Sequence, residues 1–158
     1  MSRPVLSFQP LCRVPQLKPV VAAWLQAEWP AWYGAGGAGN LEGDVNDFAA
    51  SEVELPVGIL AFEDEAPVGF GALKKESIST HTHLAPWAAA GYVAPQRRGH
   101  GIGGALLKAL VEHARGLAHS NVYCGTSTAV TLLSRAGWHE VEQVLYAGKP
   151  LIIFRSGA

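Results

Sequence analysis

Residues 91–114 read GYVAPQRRGHGIGGALLKALVEHA, and this succession decides the fold: an apolar strand end, Pro95, a basic glycine-rich turn and an amphipathic helix follow without a gap. The first N–H groups of a helix lack internal partners and sit at the positive end of its dipole, so a glycine-rich turn feeding a helix is an anion site. Gly99, Gly101, Gly103 and Gly104 remove the side chains that would hold a phosphate off the backbone. Arg97 and Arg98 add charge in a geometry suited to phosphate. The stretch predicts a site for a phosphate-bearing ligand.

By letter, Gly99 to Gly104 also satisfies the dinucleotide pattern G-x-G-x-x-G. That fingerprint needs its turn directly off a strand and an acidic residue about 20 positions further on. Here Ala94 to Arg98 separate the strand from the first glycine, and no carboxylate lies around Tyr123-Cys124-Gly125. No earlier alternation of strands and helices suits a Rossmann half. The dinucleotide reading fails in its context.

Val93-Ala94-Pro95 followed by Gln96-Arg97-Arg98-Gly99-His100-Gly101 resembles the acetyl-CoA signature of the GNAT acetyltransferases, [R/Q]-x-x-G-x-[G/A]. The frame from Arg98 to Gly103 matches by letter too, but the first frame places the proline and arginines as that family usually has them. The resemblance implies that Gln96, Arg97, Arg98, Gly99, His100 and Gly101 form the loop whose amides hold the CoA pyrophosphate. Ile102, Gly103 and Gly104 would lead into the helix, and the backbone of Tyr92 and Val93 would pair with the pantetheine arm.

The remaining composition narrows the class. A chain of 158 residues is long enough for one sizeable core and reads as a single domain over 1–158. With 49% apolar and 16% charged residues it is globular, and its net charge of −1 argues against a general nucleic-acid surface. Cys12 and Cys124 stand alone, with no metal-ligand spacing, so neither a metal site nor a disulfide framework is expected. Met1-Ser2-Arg3-Pro4 opens without the apolar run of a signal peptide, and no segment is long enough to span a bilayer. A soluble, cytoplasmic protein without membrane contact is expected.

Patterning supplies the elements. Val5 to Leu11 alternates as an edge strand, and Pro15 to Glu28 carries Leu17, Val20, Val21, Trp24 and Leu25 at helical spacing. Asp44 can cap a second helix through Phe48 to about Glu52, after a glycine-rich loop over 33–40. Strands are expected over 57–62 and 67–73 around the turn Glu63-Asp64-Glu65, then over 87–93. A helix over 103–117 leads to a strand over 121–124, a helix opened by Ser127 or Thr128, and strands over 140–145 and 151–154. This order is that of the GNAT fold: α/β in three layers, a mixed, mostly antiparallel sheet of about seven strands flanked by about four helices. The resemblance covers nearly the whole chain and is weakest between Trp29 and Leu55.

The resemblance implies acetyl transfer from acetyl-CoA to a primary amine by direct attack, without a metal, and it allows for a homodimer. A small-molecule amine is the leading acceptor; a protein or peptide amine and a non-catalytic acyl-CoA-binding regulatory module are the alternatives. The family's late segment N-x-x-A-x-x-x-Y-x-x-x-G-F is matched only in part, since Thr126 replaces the asparagine and Leu133 the tyrosine that usually serves as acid. Tyr123, Cys124, Ser127 or solvent remain as substitutes. For the base, Glu76, His81 and His83 lie just before the fourth strand, and histidine titrates near neutrality; solvent-facing loop residues are the plainer reading. Trp29, Trp32 and Tyr33, beside Glu28, Asp44 and Asp47, suit a cationic acceptor or else close the core at a helix end.

Overall fold

The computed structural model describes residues 5–157. Met1 to Pro4, read above for a targeting signal, lie outside the described residues. The chain runs β1 (Leu6–Pro10), α1 (Lys18–Glu28), α2 (Pro30–Tyr33), α3 (Leu41–Phe48), β2 (Val57–Glu63), β3 (Ala66–Lys74) and β4 (Trp87–Val93). It continues through α4 (Ile102–Gly116), β5 (Tyr123–Thr126), α5 (Val130–Arg135), β6 (His139–Tyr146) and β7 (Lys149–Arg155). The seven strands form one sheet in the order β1-β2-β3-β4-β5-β7-β6.

Apolar cores on both faces of the sheet give the three layers. On one face Val57, Ile59 and Leu73 pack with Leu110 and Val111 of α4 and with Leu133 of α5. On the other, Leu60, Phe62 and Phe70 meet Val21 and Leu25 of α1 and Phe48 of α3. This double covering explains why 57–62 reads as a continuous apolar run instead of alternating. None of the helices among the described residues is long and apolar enough to cross a membrane.

Every pairing is antiparallel except β4 with β5, which touch at a single ladder pair, Trp87↔Tyr123. Beyond that point the two strands part. The β3–β4 register shifts between Phe70 and Ala72, so that β4 carries an extra residue there, and Ala90 sits at φ +56. A β-bulge with a left-handed alanine bends the strand and re-aims its backbone, and such strained positions gather at functional sites.

Several boundaries differ from the sequence reading. The first helix begins at Lys18, after a 3-10 turn over Pro15–Leu17. The second is capped by Asn40, whose Oδ1 accepts from the Gly43 amide at 3.0 Å, and ends at Phe48; the Asp44 carboxylate instead accepts from the Tyr33 hydroxyl at 2.7 Å. The fifth strand lies two residues later than expected. The last helix starts at Val130, not at Ser127 or Thr128, because Thr126 Oγ1 accepts from the amides of Thr128 (3.1 Å) and Ala129 (2.8 Å) and holds that stretch as a turn.

Candidate active site

The gap between β4 and β5 opens into a cleft of about 560 Å³. Its walls are Ala88 to Val93 of β4, Cys124 to Ala129 after the parting of β5, and the inner face of α4. Glu28 and Trp29, where α1 ends, close one side, and Arg98 and Gly103 stand at its rim.

The glycine-rich loop is built as an amide cradle. Gly99 and Gly101 take φ +83 and +80, a region that other residues enter at a cost, and Gly101 is the N-cap of α4 without a capping side chain. Among the described residues, the amides of Gly99 to Gly104 make no backbone hydrogen bond; the first bond into α4 comes from Ala105 to the Gly101 carbonyl. Nothing lies within 4 Å of a Cβ placed at Gly99, Gly101 or Gly104, so the approach to these amides is open. Six adjacent unpaired donors at the start of a 15-residue helix match the chemistry of a pyrophosphate.

The arginines of the loop are already engaged. Arg97 pairs with Glu63 at 2.5 Å and pins the loop to the β2–β3 hairpin, leaving its Nε buried without a partner among the described residues. Arg98 Nε donates to the Val93 carbonyl at 2.8 Å, its terminal nitrogen meets Glu28 at 3.2 Å, and the guanidinium lies over the Tyr92 ring. His100 Nδ1 lies against the carbonyls of Arg97 and Arg98 and fastens the turn to itself. Ile102 is a core residue against Ala61, Val68 and Leu106, and of it the cradle offers only the amide. Gln96 is exposed on the 3-10 turn over Pro95–Arg97.

Tyr92 and Val93 divide their roles. The Ala94 amide donates to the Val68 carbonyl at 2.8 Å, and antiparallel alternation then directs the peptide groups of Tyr92 at β3 and those of Val93 away from it, toward the cleft. With the Val93 carbonyl held by Arg98, its N–H is the group left for a ligand. The Tyr92 ring stacks on Trp24 at 5.2 Å and forms part of the cleft wall.

The other candidates scatter. His81 Nε2 lies 2.5 Å from Glu142 on β6 and its Nδ1 lies 2.8 Å from Thr80, while His83 stacks against His81 at 5.6 Å. Neither histidine nor Glu76 lines the cleft, whereas Ser77 from the same segment does. Of the aromatic group, Trp29 alone lines it. Trp32 packs its indole where a Cβ on Gly39 would sit, and Tyr33 is tied to Asp44. Burial, aided by Asp44, pushes the Tyr33 phenol far above its ordinary value, so it stays protonated.

Leu133, at the family's tyrosine position, is 1% exposed and fills the core beside Trp138. Burial raises the Cys124 thiol to about 11, so it is neutral at ordinary pH. Sequence reasoning missed two features of the cleft, the bulge at Ala90 and the hydroxyl of Thr126; the second was signalled by threonine replacing the family's asparagine.

The sequence profile of the acetyltransferase (GNAT) family matches residues 21–136, from within α1 to the end of α5. No curated protein matches the chain. Among solved structures, an aminoglycoside 6′-N-acetyltransferase complexed with coenzyme A is similar with a TM-score of 0.76 at 17% identity, over 95% of this chain and 96% of that one. An aminoglycoside 6′-N-acetyltransferase from Enterococcus faecium gives 0.72 at 17% identity over 96% of each chain. A Salmonella typhimurium protein with its cofactor acetyl-CoA gives 0.66 at 16% identity over 95% and 92%. At such identities the structural likeness speaks for the fold alone, but the profile covers more than half the chain and includes the cradle, the bulged strand and α5. The chain belongs to the GNAT acetyltransferase family.

Proposed function

We propose that this protein is an acetyl-CoA-dependent N-acetyltransferase that moves the acetyl group onto the primary amine of a small molecule by direct attack. One observation carries the reading: the bulged strand β4 lines one cleft with Arg98 and Gly103 of the loop whose amides, from Gly99 to Gly104, have no backbone partner among the described residues. A diphosphate seated on those amides would lead its arm past the Val93 N–H toward Ala90. Acetyl-CoA supplies an activated acyl group and a thiolate leaving group. The chain's part is to hold the donor, to turn the amides of β4 toward the thioester carbonyl, where charge develops, and to present the amine.

For the acceptor, Glu28 is the acid that borders the cleft and Trp29 the aromatic next to it, a pair suited to an ammonium group. Glu28 is also placed to take the amine's proton, directly or through water. His81, paired with Glu142 of β6, and His83, stacked on it, would support their own loop, and Glu76 stands in the same segment outside the cleft lining.

Thiol release from acetyl-CoA across a panel of small amines tests the reading, with Gly101→Glu as the control. Release with at least one primary amine, and loss of CoA binding in the variant through repulsion and blockage of the cradle, is expected. CoA binding without release for any amine or peptide would overturn it in favour of a binding module. Release with peptide N-termini alone would move the acceptor to protein.

A further inference from the structure

Thioester aminolysis leaves an electron pair on sulfur as the C–S bond breaks, and a group must meet that charge. The tyrosine position is filled by the buried Leu133, and the Cys124 thiol in the wall is itself neutral and largely buried. The chain offers something else. Thr126 is only 8% exposed, and its side chain accepts two hydrogen bonds, from the amides of Thr128 and Ala129. A hydroxyl has two acceptor positions and one proton, so with both positions filled the proton must point along the direction that remains. Among the described residues Thr126 Oγ1 donates to no protein acceptor, and Thr126 lines the cleft.

Its level in the cleft is fixed by the sheet. Thr126 ends β5 in register with Ile152 of β7, beyond the point where β4 and β5 part, and it lines the cleft together with Ala90. Accepting two N–H bonds draws electron density from the oxygen and makes its O–H a stronger donor.

We propose that the Thr126 hydroxyl donates a hydrogen bond to the sulfur of the acyl donor and stabilises the thiolate as it leaves. In this step the amine nitrogen forms the C–N bond, the C–S bond breaks with its electron pair going to sulfur, and the amine's proton passes to Glu28 or water. Thr126 keeps its own proton throughout, and solvent protonates the thiolate after release. This rests on the cleft holding an acyl-CoA, as proposed above.

The test reads the sulfur itself and needs no acceptor amine. CoA is bound to the full-length protein, binding is verified by calorimetry, and the thiol is titrated through its thiolate ultraviolet absorbance. In the wild type the bound thiol should ionise roughly one unit below free CoA, since a donor to the charged form favours it. Thr126→Ser should keep that shift, and Thr126→Val should lose it while still binding CoA. A wild-type titration equal to that of free CoA, which requires no variant to fold, overturns the role of Thr126 and leaves the acetyltransferase reading standing. So does a shift that survives in Thr126→Val. Absence of CoA binding to the wild type overturns both.

Discussion

The Arg98 guanidinium meets the Glu28 carboxylate at 3.2 Å, so a residue of the glycine-rich loop and the acid that borders the cleft are bound to each other. The two lie 70 positions apart in the chain. Both are about half exposed, so the pair adds little to stability, and its importance lies in where it places Glu28. Glu28→Gln should leave the melting temperature nearly unchanged. It should raise KM for an amine with a second cationic centre about tenfold, while a neutral-tailed amine changes less than twofold, the loss of one charge-assisted contact. Thiol-release kinetics on matched diamine and monoamine substrates measure the difference.

At Ala90 the backbone stands at φ +56 inside a strand. Valine there adds β-branching to a left-handed conformation, and Ala90→Val should cost about 2 kcal/mol of stability. Ala90→Gly removes the Cβ penalty and should fall within about 0.5 kcal/mol of wild type, unlike glycine at an ordinary strand position. Urea denaturation of the two variants checks the contrast.

Restoring the family's tyrosine should not restore an acid. Leu133 is packed against Trp138 and its neighbours at 1% exposure, so Leu133→Tyr overfills the core and should cost about 1–3 kcal/mol. Leu133→Ala leaves a cavity and should cost about 3 kcal/mol. Denaturation midpoints read both, and the tyrosine variant should show no gain in turnover.

The Cys124 thiol, raised by burial from about 9 to about 11, gives stability a pH dependence. The folded protein holds this proton more tightly than the unfolded chain does, so the contribution is complete below pH 9 and is lost as pH climbs toward 11. The loss should amount to roughly 2 kcal/mol across that window. In Cys124→Ala this alkaline slope should disappear, whatever the substitution costs at neutral pH; urea titrations at the two ends of the window give the slope.

Legibility in the sequence followed the range of the physics. β4 was readable at both ends because a small apolar run stops at Ala94-Pro95, and α4 was readable from its glycines and its leucine face. These are local signals. The Asn40 cap sits beside a glycine-rich stretch, and Asp44 is an equally good capping residue by type, so residue type alone does not choose between them. Pairings across the fold left no mark in the chain: Arg97, read as a phosphate ligand, also pairs with Glu63, and His81 pairs with Glu142, 61 positions away. The bulge is likewise invisible, because Ala88-Ala89-Ala90 gives no hint of which alanine turns left-handed.

One feature of the sheet reaches beyond catalysis. With β4 and β5 joined by a single pair, the sheet is two plates meeting at a hinge, and the seam between them lacks the row of hydrogen bonds that stitches every other strand boundary. An extended ligand lying in that seam acts as a missing eighth strand. A ligand bound there only in the folded state would add its binding free energy to the weakest boundary of the sheet, so the stability of the fold would rise with the supply of its ligand.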